Sequence, residues 1–168
     1  MVSRIVSFPP VATHAARALI LGSMPGEASL AANQYYAHPR NAFWPIMATI
    51  VGIDPAAGYP ERIAALKEGK LALWDVLKAC RRTGSLDSDI EPDSIEVNDF
   101  AAFFAAHPAI TRVYFNGATA ERCYQRFVRG ILTGPDLQYT RLPSTSPAHA
   151  SMSFAAKAQA WRAALIQH

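Results

Sequence analysis

The sequence predicts an α/β protein, a three-layer α/β/α sandwich on a central four-stranded, mostly parallel sheet. Three observations lead there. Short apolar runs of strand character alternate with longer amphipathic stretches, the order in which a parallel sheet and its covering helices are laid down. Each run ends in residues suited to a turn or a polar contact: Gly22-Ser23, Asp75, Asn116-Gly117 and Ser144-Thr145-Ser146. Finally, 51% of the 168 residues are hydrophobic and the mean hydropathy is +0.05. A single domain over 1–168 of that composition is large enough to bury about 70% of the surface its unfolded chain exposes.

The elements follow in order. Ala18 to Ser23 is the first strand, an apolar run broken by the tight turn Gly22-Ser23-Met24-Pro25-Gly26. Phe43, Met47, Ile50 and Val51 recur at helical spacing, with Pro45 in the first turn, where it removes no intrahelical bond. Pro60 to Glu68 is a short helix closed by Gly69, and Leu71 to Leu77 reads as the second strand. Cys80 to Pro92 is a loop around Gly84-Ser85-Leu86-Asp87-Ser88-Asp89, of a length that often carries function. Asp93-Ser94-Ile95-Glu96 reads as a capping box for a helix whose buried stripe is Val97, Phe100 and Phe104. Arg112 to Gly117 is the third strand, and the basic helix after it turns Ala120, Tyr124, Phe127 and Ile131 inward. Gln138 to Leu142 is the fourth strand, and the last helix sets Phe154, Ala158, Trp161 and Leu165 on one side.

Composition narrows the function classes. A net charge of +3 and a pI near 9.0 are mildly basic. The clusters Arg122/Arg126/Arg129 and Lys78/Arg81/Arg82 read equally as solvated faces or as contacts for an acidic partner. Two distant cysteines, Cys80 and Cys123, are too few for a cysteine-only zinc site or an iron–sulfur cluster and read as packed thiols, so no metal and no cofactor are expected. No apolar run approaches the roughly 20 residues of a membrane span, and Met1 to Pro10 has no signal-peptide core, so the expected location is cytoplasmic.

In a parallel sheet the strand ends above converge on one edge, where open α/β sheets bind ligands. Between them, Gln34-Tyr35-Tyr36-Ala37-His38-Pro39-Arg40-Asn41-Ala42-Phe43-Trp44 gathers stacking and hydrogen-bonding groups suited to a flat, polar molecule such as a nucleobase. Each residue also has an ordinary reading. Asn41 caps a helix, His38 fills a loop, Tyr36 and Trp74 are core aromatics, Asp75 pairs with Lys78, and Ser144 and Ser146 bond their own turn. The first turn is neither a Walker A loop nor a nucleophile elbow, and nothing in the spacing favours a triad of Ser23 or Ser144 with His38 and Asp75.

Taken together, Gly22-Ser23-Met24-Pro25-Gly26, the Tyr35-Tyr36-Ala37-His38-Pro39-Arg40-Asn41-Ala42-Phe43-Trp44 block, Leu73-Trp74-Asp75-Val76, Gly84-Ser85-Leu86-Asp87-Ser88, Phe115-Asn116-Gly117 and Leu142-Pro143-Ser144-Thr145-Ser146-Pro147 resemble the uracil-DNA glycosylase superfamily. Within it they are most similar to the hypoxanthine-DNA (deoxyinosine) glycosylase branch, related to the mismatch-specific enzymes. Met24 stands where the classical enzymes carry a water-activating Asp or Asn, and Leu142 where they carry a His or Asn. The resemblance implies a monofunctional DNA glycosylase of base excision repair, acting on hypoxanthine, with uracil opposite guanine or a catalytically inactive lesion binder as alternatives. It implies Asn41 and Asp75 as catalytic residues, and Gly22, Ser23, Met24, Tyr36, His38, Trp74 and Asn116 around the base. Ser144, Thr145 and Ser146 would hold the phosphate. The expected partner is damaged DNA, bound by a monomer without metal or membrane. A hydrolase or transferase of free nucleosides is the rival from outside the family.

Overall fold

Residues 2–133 and 136–166 are described by a computed structural model. Its strands are β1 (Arg4–Val6), β2 (Ala18–Gly22), β3 (Leu71–Asp75), β4 (Leu77–Arg81), β5 (Glu96–Val97), β6 (Arg112–Asn116) and β7 (Gln138–Leu142). Its helices are α1 (Glu27–Ala32), α2 (Phe43–Val51), α3 (Tyr59–Glu68), α4 (Phe100–Ala106), α5 (Ala118–Phe127) and α6 (Phe154–Ile166).

The apolar runs become a four-stranded sheet in the order β3-β2-β6-β7, parallel throughout. The expected mixed α/β sandwich is therefore the observed one. Alternation along each strand divides the core in two. Leu19, Leu21, Val113 and Phe115 face α4 and α5 through Phe100, Phe104, Ala120 and Tyr124. Ile20, Leu73 and Tyr114 face α2, α3 and α6 through Phe43, Met47, Leu66 and Trp161. The chain runs from β2 outward to β3, then returns past β2 to β6, so the strand order reverses at β2. That switch point opens a crevice at the carboxyl ends of the strands.

Several expectations are corrected. The second strand does not run unbroken to Leu77; it leaves the parallel sheet at Val76 and continues as β4. β4 forms a separate antiparallel sheet in the order β1-β4-β5, so part of the expected loop from Cys80 and the expected helical residue Val97 are strand. The capping box does not form. Asp93 and Ser94 lie in a 3₁₀ turn, and Asp99 caps α4 instead, its Oδ1 accepting the Ala102 N–H at 3.0 Å. Ile131 and Phe154 lie outside the core, 74% and 50% exposed, because each sits at or beyond a helix end. Cys80 and Cys123 are free thiols, the first buried and the second half-buried.

Candidate functional site

A cleft of about 390 Å³ lies over the carboxyl ends of β2, β3, β6 and β7. Its lining includes Gly22, Ser23, Met24, Tyr36, His38, Asn41, Asp75, Asn116, Ser144, Thr145 and Ser146, so the sheet gathers eleven of the twelve residues singled out above. Trp74 is the exception. It precedes Asp75 on β3 and so points to the opposite face, packed on Phe100 and Phe103 with its indole N–H donating to the Phe8 carbonyl at 3.2 Å. Its expected place at the base is replaced by a place in the core.

Asp75 is 3% exposed, and its Oδ2 has no hydrogen-bond partner among the described residues. Burial first, and then the negative charge of Asp87, push its carboxyl up to about 7, against the opposing pull of Arg82. The carboxyl fits there because the facing residue is glycine. A Cβ on Gly22 would stand 2.5 Å from Asp75 Oδ1 and 2.9 Å from the Tyr36 hydroxyl. A buried, unpaired carboxyl that ionises near neutrality inside a cleft is the type of group that enzymes use for proton transfer or charge stabilisation.

Tyr36 is held from several sides. The Ala37 N–H donates to Ser29 Oγ at 3.1 Å, and the Trp44 indole donates to the Tyr35 carbonyl at 2.8 Å. Its backbone sits at φ 54°, a left-handed conformation that costs a residue with a side chain on the order of 1–3 kcal/mol. One ring face stacks on Phe43 at 4.1 Å. The hydroxyl is buried beside Asn116 without hydrogen-bond geometry, and burial and the Asp75 charge push its ionisation far above the usual phenol range.

Asn41 Oδ1 accepts the N–H of Phe43 at 2.9 Å, a local turn bond at the entry to α2, while the N-cap position itself is Ala42. Its amide nevertheless lines the cleft with a lone pair and two N–H groups beyond that bond. His38 Nδ1 accepts the Arg40 N–H at 3.0 Å, which in the neutral ring leaves the proton on Nε2.

Across the cleft the polar residues bond one another. Asn116 Nδ2 donates to Thr145 Oγ1, and its Oδ1 accepts the Thr145 N–H, both at 2.9 Å. Thr145 is 1% exposed, so the expectation that its hydroxyl meets a phosphate gives way to a clamp between β6 and the segment after β7. Asn116 lines the cleft with one N–H and one lone pair of its amide beyond those two bonds. Ser144 Oγ accepts the Ser146 N–H and Ser146 Oγ accepts the Ala148 N–H, both at 3.2 Å. Gly117, at φ 95°, lets β6 turn into α5 directly against Ser144, whose Cβ would lie 3.0 Å from an added Cβ.

Three charged residues escaped the sequence reading. Arg82, read there equally as part of a solvated face or as a contact for an acidic partner, is neither: it is 5% exposed and donates to the Pro25 carbonyl at 2.6 Å and the Gly84 carbonyl at 2.8 Å. Asp87 lines the cleft and accepts the Ser23 hydroxyl at 2.7 Å. Lys157, 6% exposed, reaches the Ser146 carbonyl at 3.4 Å, and burial lowers its ammonium's pKa. The composition of the 84–89 loop marked Asp87's neighbourhood, but no local signal shows where that loop docks. Among the described residues no three His, Cys, Asp or Glu side chains gather to hold a metal, and no helix is long and apolar enough to cross a membrane.

Known proteins resemble this chain in sequence and fold. The chain is 42% identical over 111 residues to a protein named "Hypoxanthine DNA glycosylase" from Methanosarcina barkeri (strain Fusaro / DSM 804), covering 66% of this chain and 69% of that one. It is 35% identical over 147 residues to a protein of the same name from Methanosarcina acetivorans, covering 87% and 89%. A solution NMR structure of a candidate uracil DNA glycosylase from Methanosarcina acetivorans superposes with a TM-score of 0.78 at 31% identity, over 98% of this chain and 100% of that one. Residues 9–168 match the family model of the uracil DNA glycosylase superfamily, and the chain belongs to that superfamily.

Proposed function

We propose that the protein is a monofunctional DNA glycosylase that removes hypoxanthine from deoxyinosine-containing DNA and leaves an abasic site. The observation that carries this reading is one cleft in which a stacking ring, a neutral amide and a buried, unpaired carboxyl converge: Tyr36, Asn41 and Asp75. The names of the two Methanosarcina relatives support the same substrate.

A base must leave the stack to be reached, which costs a few kcal/mol and least at a mispair. Stacking on Tyr36 returns roughly 1–3 kcal/mol. Gly22, the backbone around Ser23 and Met24, and His38 Nε2–H border the base. As the glycosidic bond lengthens, positive charge grows on the sugar and negative charge on the base. Water adds its oxygen to C1′, and the base departs with a proton. Asn41 orients that water, which suffices because a cationic sugar needs only a weak nucleophile. Ionised Asp75 activates the water or stabilises the sugar cation. Ser144 and Ser146 present hydroxyls to the flanking phosphate. The protein works as one domain and as a monomer, without metal or cofactor, in the cytoplasm.

The test is a panel of oligonucleotides carrying deoxyinosine, uracil, xanthine or a normal base, incubated with the protein in chelator. Alkali-labile sites at deoxyinosine, without strand breaks before alkali, are expected. In Asn41→Ala single-turnover excision falls on the order of 10²-fold. Loss of the turn bond alone would instead cost about 1 kcal/mol of stability and leave activity per folded molecule intact. Absence of excision in the wild type would sink the reading, and retained activity in Asn41→Ala would return Asn41 to the scaffold.

A further inference from the structure

Asp87 lines the cleft, yet the chemistry above gives it no part. Its loop is fastened to the end of β2 from three directions. Ser23 Oγ donates to Asp87 Oδ1 at 2.7 Å, buried Arg82 bridges the carbonyls of Pro25 and Gly84, and Ser85 Oγ accepts the Glu27 N–H at 2.8 Å. A Cβ on Gly26 would meet Ser85 Oγ at 3.4 Å, so turn and loop are in contact. The result is a carboxylate set by a hydroxyl on one oxygen, with no donor from the described residues on the other. It shares the cleft with buried Asp75 Oδ2, which also lacks a partner. Unlike Asp75, Asp87 is exposed, so water meets its second oxygen until a donor on a ligand displaces it, and the Ser23 tether fixes where in the cleft that exchange takes place.

Deamination creates such a donor. Adenine presents a lone pair at N1, and hypoxanthine presents N1–H beside its new carbonyl; cytosine and uracil differ in the same way at N3. We propose that Asp87 is a specificity-determining residue: its carboxylate, oriented by Ser23, accepts the ring N–H that deamination creates and repels the lone pair of the parent base. The proposal rests on the glycosylase reading. Asp75 is the poorer acceptor for this task, because it lies beneath Gly22 and carries its charge only partly near neutrality. Guanine shares the N1–H, so its exclusion has another source.

The experiment compares single-turnover excision of hypoxanthine and of unsubstituted purine, which has a bare N1, from otherwise identical duplexes. Wild type, Asp87→Ala, Asp87→Asn and Ser23→Ala are measured at one pH, with the ratio of affinities for the two duplexes read alongside. Each ratio cancels any change in folded fraction or in Asp75 ionisation. The preference for hypoxanthine is expected to fall about 10- to 100-fold in both Asp87 variants, the range of a hydrogen bond to a charged group. Ser23→Ala, which keeps the carboxylate but loses its tether, falls less. Excision and affinity ratios within twofold of wild type in both Asp87 variants overturn the inference and leave the glycosylase reading standing. A wild type that excises no hypoxanthine overturns both.

Discussion

At the β6–β7 end of the cleft, polar side chains satisfy one another: Asn116 and Thr145 exchange two hydrogen bonds, Ser144 and Ser146 accept N–H groups of their own turn, and the Trp161 indole holds the Pro143 carbonyl at 2.9 Å. At the β2–β3 end they do not. The Tyr36 hydroxyl and Asp75 Oδ2, on residues that line the cleft, are buried without partners among the described residues. A buried polar atom left unpaired costs about 1–3 kcal/mol. Folding alone gives no reason to keep two of them together, whereas a ligand with complementary groups does. On the proposed function the β2–β3 side would carry the chemistry and the β6–β7 side the scaffold, and substitutions on the two sides should fail differently.

The largest expected effect is at Asp75. Its folded pKa stands near 7 against the 3.8 of an ordinary carboxyl. Between those values the folded chain holds a proton that the unfolded chain has released, so stability falls as pH rises from about 4 to about 7 and is flat above. About three pKa units correspond to something on the order of 4 kcal/mol. Asp75→Asn keeps the shape and lacks the ionisation. Denaturant melts should show the variant overtaking wild type with rising pH, more stable by a few kcal/mol at pH 8. Wild-type excision should climb through pH 7 as the carboxylate forms, and the variant should lose both that climb and most of its rate. Parallel stability curves for the two proteins would break the comparison, because Asp75 would then titrate as a solvated group.

Across the cleft the opposite pattern is expected. Asn116→Ala strands the N–H and Oγ1 of Thr145, which is 1% exposed, so a loss of about 2–3 kcal/mol should appear in a melt. Activity per folded molecule, and the preference for hypoxanthine over unsubstituted purine, should stay within a few-fold of wild type. A large change in preference with an unchanged melt would move Asn116 to the side that reads the base.

The sequence carried the sheet better than the site. The strand from Ala18 was legible because Ala18–Gly22 is an unbroken apolar run that ends in a turn, whereas Gln138–Leu142 holds only Tyr139 and Leu142 as apolar residues and was marked mainly by the Pro143-Ser144 break after it. β1 and β5 have three and two residues, too short for any alternation to register. Asp93 and Asp99 both precede apolar runs, and only tertiary packing decides which of them begins a helix. The strand ends together with the Gln34–Trp44 block announced eleven of the twelve candidate residues, since a parallel sheet delivers its carboxyl ends to one edge. What each does there depends on partners distant in sequence. Asn116 meets Thr145 across 29 residues, Ser23 meets Asp87 across 64, and Arg82 meets Pro25 across 57. No local pattern encodes those pairings, so a clamp and a reader looked alike.

The smallest effect expected is at Ser146, where the two sides of the comparison meet. Its oxygen accepts the Ala148 N–H at 3.2 Å, as a scaffold residue's would, while its residue lines the cleft and its O–H remains available to a phosphate. Its carbonyl is the acceptor for buried Lys157, so the backbone here is anchored whatever the side chain does. Ser146→Ala should weaken binding to duplexes of any sequence by about 0.5–1.5 kcal/mol, one neutral hydrogen bond. The slope of affinity against salt should not move, because that slope counts phosphates neutralised by lysine and arginine, and none is removed. Binding isotherms at two salt concentrations, with a melt of the same variant, decide the matter. Unchanged affinity beside a lowered melting temperature would place Ser146 wholly with Asn116 and Thr145, and the phosphate would then be held by main-chain N–H groups alone.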